Sequence, residues 1–156
     1  MRFKFIDKII EVEKETHAKA LKNLTMAEDY FEHHFPFFPV MPGVLMLQAM
    51  AELAGHLILY STEFKYFGLL AKVGSAKFRR PAQPGDTLEV KVEWKERTAT
   101  EVLFTGAIYL DGTAIAMADF ENRLIEIGTN ETRNLLRRDF EFVTRRMKDL
   151  IEAQDE

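Results

Sequence analysis

The spacing of apolar and polar residues divides the chain into short strands and two helices. Residues 86–97 alternate most clearly, with Leu88, Val90 and Val92 on one face and charged residues on the other. This alternation is typical of an antiparallel strand that is buried on one face. We expect five further strands, at residues 5–13, 17–25, 70–80, 101–110 and 113–127. Asp111-Gly112 predicts a two-residue hairpin turn between the last two of them.

Two segments have helical spacing instead. The first begins at Pro42-Gly43 and runs to about Leu59, and proline suits its first turn because the missing N–H would have no partner there. Since apolar residues surround this helix on nearly every side, we expect it to be buried. The second covers residues 130–152, with Asn130 as a candidate cap. Its apolar residues recur every three or four positions: Leu136, Phe140, Val143, Met147 and Leu150.

The order of these elements predicts an α+β fold. Two strands come first, followed by the apolar helix, four more strands and the final helix. A long antiparallel meander wrapped around one hydrophobic helix fits this order. We assign residues 1–128 to this domain and residues 129–156 to a C-terminal helical extension.

Composition limits the class of protein. With 156 residues, 47% of them hydrophobic and 29% charged, the chain fits one soluble domain. A net charge of −4 argues against nucleic acid as the main partner, because no basic field is available to bind phosphate. The absence of cysteine excludes disulfides and fits a reducing cytoplasm. Gln48, Glu52 and His56 interrupt the most apolar stretch, so we do not expect it to span a membrane.

The candidate chemistry lies where a proline-rich loop leads into the apolar helix. His34 offers a titratable imidazole in this loop, and nine residues later Gly43 opens the helix. The N–H groups at a helix N-terminus have no intrahelical partner and favour negative charge. Such a loop can hold a base beside N–H groups that await an oxygen. Taken alone, His34 is more simply explained as a loop histidine satisfied by backbone carbonyls. For Gly43 the structural alternative is a glycine needed only for close packing.

Residues 34–52 resemble the active-site signature of the 3-hydroxyacyl-acyl carrier protein dehydratases, the FabZ/FabA family. A second stretch, residues 76–86, resembles the family's basic strand and its turn at Pro84-Gly85-Asp86. The resemblance covers residues 6–127 and implies the hotdog fold, in which an antiparallel sheet wraps around a long central helix. The C-terminal helix lies outside this pattern.

The resemblance implies roles for four residues. His34 matches the base that removes the proton α to a thioester carbonyl, and Gly43 matches the N–H donor that polarises that carbonyl. Gln48 stands fourteen residues after the histidine, where the family has a carboxylate. Because an amide does not exchange a proton usefully at neutral pH, this departure predicts weakened dehydration. Glu52, one helical turn further on, either serves the same cavity or is hydrogen-bonded in a dimer core.

Other residues of the two motifs are candidates for binding. Apolar side chains suited to an acyl chain are Val40, Met41, Met46, Leu47, Met50 and Phe78, although most such residues are ordinary core. Phe37 stands where the family has glycine, and we expect it to narrow the mouth of the pocket. Lys77, Arg79 and Arg80 form either a landing patch for an acidic carrier protein or the solvated face of a strand.

The remaining histidines belong to no motif. His33 and His34 are adjacent, so their side chains diverge, and no carboxylate cluster flanks them; we therefore expect no metal site. We expect His17 in solvent and His56 at a helix end or an interface.

The function that this resemblance implies is dehydration of 3-hydroxyacyl thioesters carried on acyl carrier protein. No cofactor is expected, because the thioester already acidifies the α proton. The resembled family builds its sites between two subunits, which implies a homodimer or a larger assembly of dimers. The main alternative is a non-catalytic module that binds acyl thioesters. A second alternative is a hotdog thioesterase, in which Glu52 would be the only carboxylate available to activate water. Fold alone does not decide between these functions.

Overall fold

The computed structural model of the chain describes residues 4–152, with side chains as far as Thr144. Six strands, one short 3₁₀ helix and two α-helices make up the fold. In chain order they are β1 (Lys8–Glu13), β2 (His17–Asn23), the 3₁₀ helix (Asp29–Phe31), α1 (Gly43–Ser61), β3 (Tyr66–Phe78), β4 (Thr87–Arg97), β5 (Glu101–Leu110), β6 (Thr113–Glu126) and α2 (Asn130–Glu152).

The six strands form one antiparallel sheet in the order β1-β2-β4-β5-β6-β3. The predicted α+β hotdog architecture is therefore confirmed, with the sheet curved around α1. The predicted hairpin is also present, since Asp111 and Gly112 both have positive φ, at 51° and 77°. β1 and β3 are the two edge strands, and β3 is the longer and more exposed.

The core lies between α1 and the concave face of the sheet. Alternate residues of β4 and β5, including Val90, Val92 and Phe104, are fully buried there, as the alternation predicted. Gly106 lets β5 approach the helix, because a Cβ at this position would lie 2.6 Å from Met50 Sδ. By length and mean hydropathy alone α1 would qualify as a membrane span, but 56% of that stretch is buried inside the protein, as in a core helix.

Several boundaries differ from the prediction; β1 begins at Lys8 and not at residue 5, and β2 ends at Asn23 and not at residue 25. β3 begins at Tyr66 instead of residue 70. The sequence pattern missed its first residues because they lie at the sheet edge and alternate only weakly between apolar and polar. The cap of α2 is Thr129 and not Asn130, so that prediction was wrong. The Thr129 hydroxyl accepts a hydrogen bond from Thr132 N–H at 3.2 Å, and Asn130 is already the first helical residue.

The C-terminal helix α2 packs against β1 and the second half of α1. Phe140 and Val143 are buried, and Leu136 is partly buried, as the predicted stripe requires. The ring of Phe140 stacks on Tyr60 with centroids 5.2 Å apart. The side chains of Met147 and Leu150, predicted for the same stripe, lie outside the described residues. This packing places α2 beside the polar residues of α1.

Candidate active site

The loop that carries His34 is closed by hydrogen bonds at both ends. His34 N–H donates to Tyr30 O at 3.0 Å, and Val40 N–H donates to His34 O at 2.9 Å. The ring itself is held by a bond of 2.9 Å between Nδ1 and Val40 O. Because a carbonyl only accepts, Nδ1 carries the hydrogen, and the neutral ring keeps its free lone pair on Nε2. The histidine is thus held by a backbone carbonyl and also presents a basic nitrogen.

Buried charges tie the start of this loop to the sheet. Lys22 on β2 is only 4% exposed, and its Nζ lies 2.7 Å from Glu28 and 3.6 Å from Asp7. Glu28 immediately precedes the 3₁₀ helix that leads to His34. A buried lysine needs such partners, since an unpaired charge is costly away from water. The pairing therefore fixes where the loop leaves β2.

The N-terminus of α1 lies under the second motif. A Cβ on Gly43 would lie 3.0 Å from the ring of Phe78, so glycine allows this ring to pack closely on the helix start. Pro42 O accepts from Leu45 N–H and Met46 N–H at 2.9 and 3.3 Å, which starts the helix. Helix geometry leaves the N–H of Gly43 without an intrahelical acceptor. The two motifs therefore meet, with Phe78 covering the first turn.

Gln48 and Glu52 line a cavity of about 350 Å³ between α1, β3 and the N-terminal segment. Glu52 Oε2 accepts a hydrogen bond from Phe5 N–H at 2.9 Å. Burial raises the pKa of the Glu52 carboxyl to about 7, although backbone N–H groups of Phe5 and Ile6 and the charge of Lys4 act in the opposite direction. Glu52 therefore combines a structural contact with a proton that it can exchange near neutral pH.

His56 lines the same cavity, two helical turns beyond Gln48. It lies within α1 against α2, with its ring 6.1 Å from that of Phe140. This interface is internal to the chain. Burial lowers the pKa of His56, so the ring is held neutral. His17, expected in solvent, is paired with Glu11 on the outer face of the sheet.

The proposed acyl-binding residues are spread over several environments. Val40, Met41, Met46 and Met50 are buried in the core, and Leu47 is partly buried against it. Phe37 is fully exposed and has a φ of 68°, which is unusual for a bulky residue. Phe78 is 46% exposed beside Gly43. Lys77 near the end of β3, and Arg79 and Arg80 just after it, are all exposed.

The predicted site residues thus lie in two separate places in the structure. His34, Gly43 and Phe78 lie around the N-terminus of α1, whereas Gln48 and Glu52 line the cavity further along the helix. Neither His34 nor Gly43 is among the described residues that line the cavity. Sequence reasoning missed the Phe5 N–H that binds Glu52. It also missed the ion pair between Lys4 and Asp139, at 2.6 Å, which borders this cavity. Backbone donors and pairs 135 residues apart leave no pattern in a sequence.

Comparison with known proteins supports the motifs. The family model described as a FabA-like domain matches residues 1–119. The 3-hydroxyacyl-[acyl-carrier-protein] dehydratase FabZ of Gluconobacter oxydans is 41% identical over 122 residues, covering 76% of this chain and 72% of that protein. The protein of the same name from Bartonella quintana is 39% identical over 126 residues, with coverages of 80% and 81%.

Solved structures share the same architecture. The dehydratase heterocomplex ApeI:P from Xenorhabdus doucetiae superimposes with a TM-score of 0.59 at 26% identity, covering 76% of this chain and 96% of that one. The protein smu.793 from Streptococcus mutans, solved bound to acetyl CoA, gives a TM-score of 0.63 over 83% and 95% of the two chains. At 14% identity this second likeness shows the fold alone.

Proposed function

This chain belongs to the FabA-like family and is dehydratase-like. We therefore propose that it eliminates water from 3-hydroxyacyl thioesters carried on acyl carrier protein. The observation that supports this most directly is the orientation of His34. The bond from Nδ1 to Val40 O leaves Nε2 as the proton acceptor, at the edge of a loop that leads to a helix N-terminus. This arrangement matches what removal of an α proton requires.

In the proposed reaction, His34 Nε2 takes a proton from C2 of the acyl group. The electrons of that C–H bond form the C2–C3 double bond as the C3–O bond breaks. The leaving hydroxyl gains a proton and departs as water, which gives the trans-2-enoyl thioester. The N–H of Gly43 polarises the thioester carbonyl and so stabilises the enolate-like transition state.

Protonation of the leaving hydroxyl is the step in which this chain departs from the resembled family, because Gln48 stands where the family has a carboxylate. We assign Gln48 the role of holding the hydroxyl by hydrogen bonds, because its amide donates and accepts but does not protonate. Glu52 lines the same cavity one turn along α1, and its raised pKa gives it a protonated fraction at neutral pH. In this proposal Glu52 supplies the proton through an intervening water.

We propose a homodimer, because His34 and Gln48 do not line a common cavity within one protomer. Edge strand β3 exposes Leu69, Val73 and Phe78, with Leu69 56% exposed. A long exposed apolar edge invites pairing with another strand. Light scattering should give twice the protomer mass at micromolar concentration. Leu69→Arg should lower that mass, whereas Leu135→Arg, at a similarly exposed leucine on α2, should not.

The exposed Lys77, Arg79 and Arg80 are the proposed contact for an acidic carrier protein, and Phe78 between them covers the helix N-terminus where the thioester would lie. We propose Leu47, Val40 and Met41 as lining of the acyl path and Phe37 as its exposed rim. A cytoplasmic location, favoured by the cysteine-free sequence, belongs to the same proposal.

A mass-spectrometric assay tests the reaction. The purified protein is mixed with 3-hydroxyacyl carrier protein, and the acyl product is identified. Enoyl product supports dehydration, free acid would show a thioesterase, and unchanged substrate that still raises the melting temperature would show a binding module. His34→Ala should abolish enoyl formation, while His33→Ala, at the exposed neighbour, should leave it unchanged.

Two variants of α1 locate the proton donor. If Glu52 supplies the proton, Glu52→Gln should lower turnover by about 10²–10⁴-fold, the usual size of general acid assistance. Gln48→Glu should then raise turnover little, because two nearby carboxyls raise each other's pKa. A large gain from Gln48→Glu together with an inert Glu52→Gln would show that Gln48 limits the rate and would contradict the role of Glu52.

A further inference from the structure

Lys22 is a charged residue on the core-facing side of β2. Ala18 and Ala20 precede it at alternate positions and are fully buried, and Lys22 continues the same face with 4% exposure. Lysine is almost never buried to this degree unless it is paired, because burial of an unpaired charge is costly. Even a paired charge adds little, since apolar residues of similar volume in place of a buried ion pair are often neutral or stabilising. Stability alone therefore does not explain this lysine.

Two carboxylates from different segments surround the Lys22 ammonium. Nζ lies 2.7 Å from Oε1 of Glu28 and 3.6 Å from Oδ1 of Asp7. Asp7 is also bound to β2 directly, because its side chain accepts a hydrogen bond from Asn23 N–H at 2.7 Å. Its backbone N–H donates to Leu21 O at 2.9 Å. Asp7 is thus fixed to the strand by other bonds, and Glu28 is the group that Lys22 brings to the sheet.

Glu28 begins the arm of the loop that ends at His34, residues 28–34. Glu28 O accepts a hydrogen bond from Phe31 N–H at 3.1 Å, and Tyr30 O accepts one from His34 N–H at 3.0 Å. These bonds join residues three or four apart, so they give the arm its shape without joining it to the sheet. The buried Phe31 ring attaches the arm to the core, but apolar packing is not directional. The ion pair of Glu28 with Lys22 joins two particular atoms and therefore fixes where the arm lies.

The residue that holds the His34 backbone lies beside the same charges. Burial raises the pKa of the Tyr30 phenol, and the negative charges of Glu28 and Asp7 act in the same direction. Tyr30 is therefore within electrostatic reach of both carboxylates. Without the ammonium of Lys22 these carboxylates would repel each other, and Glu28, the less firmly bound of the two, would move. Its movement would displace the Tyr30 carbonyl to which His34 is bound.

The other end of the loop is held separately. Met41 N–H donates to Ala82 O at 2.8 Å, and the Nδ1–H of the His34 ring donates to Val40 O at 2.9 Å. The ring is thus bound to one end of the loop, whereas the backbone of the same residue is bound to the arm that Lys22 holds. A displaced arm would lengthen or break the bond to Val40 O. That bond is the one that leaves Nε2 as the proton acceptor.

We propose that Lys22 is a positioning residue for His34: by holding Glu28 it keeps the arm in the place from which the imidazole binds Val40 O and presents Nε2. This inference rests on the proposed dehydration, in which His34 is the base. Misplacement of a catalytic group by about 1 Å can cost about 10²-fold in rate. The proposed carrier contact near the end of β3 is separate from the arm, so KM should change less than kcat.

Substitution of both partners separates positioning from stability. Lys22→Met should lower kcat by about 10²-fold, and it should lower the free energy of unfolding because Glu28 loses its cation. In Lys22→Met/Glu28→Gln the free energy of unfolding should recover toward that of wild type, because neither charge of the pair remains. The kcat should stay low, because nothing then joins Glu28 to β2. Lys19→Met, the same substitution at a partly exposed ion pair with Glu11 on the same strand, should leave kcat unchanged.

A second measurement follows the imidazole itself and needs no turnover. Two-bond ¹H–¹⁵N NMR spectra of the full chain, recorded where the ring is neutral, show which ring nitrogen of His34 carries the hydrogen, and His34→Ala identifies its signals. Wild type and Lys19→Met should show the Nδ1–H tautomer. Lys22→Met and the double variant should show a mixture of both tautomers. If Lys22→Met fails to fold, Glu28→Gln, at a partly exposed side chain, should show the same mixture.

The outcomes distinguish this inference from the proposed function. Wild-type kcat in a folded Lys22→Met variant overturns the inference, and so does a kcat that recovers together with stability in the double variant. A wild-type His34 spectrum in Lys22→Met overturns it as well. If wild type itself forms no enoyl product, the proposed function fails, and the spectra still decide whether Lys22 positions His34.

Discussion

The burial of Glu52 predicts a pH dependence of stability that one substitution should remove. Its carboxyl lies in the cavity wall and accepts a hydrogen bond from Phe5 N–H at 2.9 Å. Desolvation raises its pKa from the ordinary 4.5 to about 7, even after the opposing effect of the backbone donors. The folded protein therefore holds this proton more tightly than the unfolded chain does.

The size and sign follow from linkage. A rise in pKa from 4.5 to about 7 corresponds to roughly 3 kcal/mol, at about 1.4 kcal/mol for each pKa unit. Because the folded state binds more protons between these two values, the free energy of unfolding falls as the pH rises. The contribution is fully present below 4.5 and is lost as the pH passes through about 7.

Urea denaturation at a series of pH values measures the effect. Glu52→Gln has no proton to exchange at this site, so wild type should lose stability relative to the variant by about 2–3 kcal/mol from about pH 4.5 to about pH 8. Protein concentration is held fixed, since a dimer would otherwise change the midpoint. Glu63→Gln is the control, because Glu63 is exposed and paired only at the surface with Lys14. If the curves for wild type and Glu52→Gln run parallel over this range, the carboxyl is not desolvated as described.

Two further predictions concern packing. Gly68→Ala should destabilise the protein by about 1–3 kcal/mol, because its Cβ would lie 2.5 Å from Ile58 Cδ1 and 2.9 Å from Asn122 Nδ2. Gly128→Ala should have little effect in the same denaturation assay, because its Cβ would meet no atom of the described residues within 4 Å. Deleting residues 129–156 should lower the melting temperature, since it uncovers the apolar surface against which Phe140 and Val143 pack. An unchanged melting temperature would show that α2 contributes no stability.

The elements that were predicted correctly are those whose pattern reflects burial. β4 alternates because Leu88, Val90 and Val92 point into the core, and each is fully buried. The first four residues of β3 were missed because this strand lies at the sheet edge, where apolar side chains such as Phe67 and Leu69 remain exposed. An edge strand has little burial to impose an alternation, so its start leaves only a weak signal.

The candidate site shows a similar division. The loop and helix start around His34 and Gly43 follow from proline, glycine and histidine placed in order, and the structure brings Phe78 of the second motif onto Gly43. The surroundings of Glu52 did not follow from the sequence. They depend on a backbone N–H at Phe5 and on α2, and neither is marked by a side-chain pattern. Local motifs thus predict which groups are present, while long-range packing decides what each group faces.

Stability does not easily explain why α1 carries three polar residues on one side, Gln48, Glu52 and His56. This helix forms the centre of the core, and its other faces bury Met50, Leu53 and Leu57 completely. A carboxyl whose pKa is raised by burial opposes folding at neutral pH, and an apolar side chain of similar volume in its place would often be neutral or stabilising. The buried Nδ1 of His56, which has no hydrogen-bond partner among the described residues, adds to this cost. Polar groups that a core helix carries at the expense of stability are expected where they serve a function, and Glu52 lines the cavity that begins at Gln48, as its proposed role as proton donor requires.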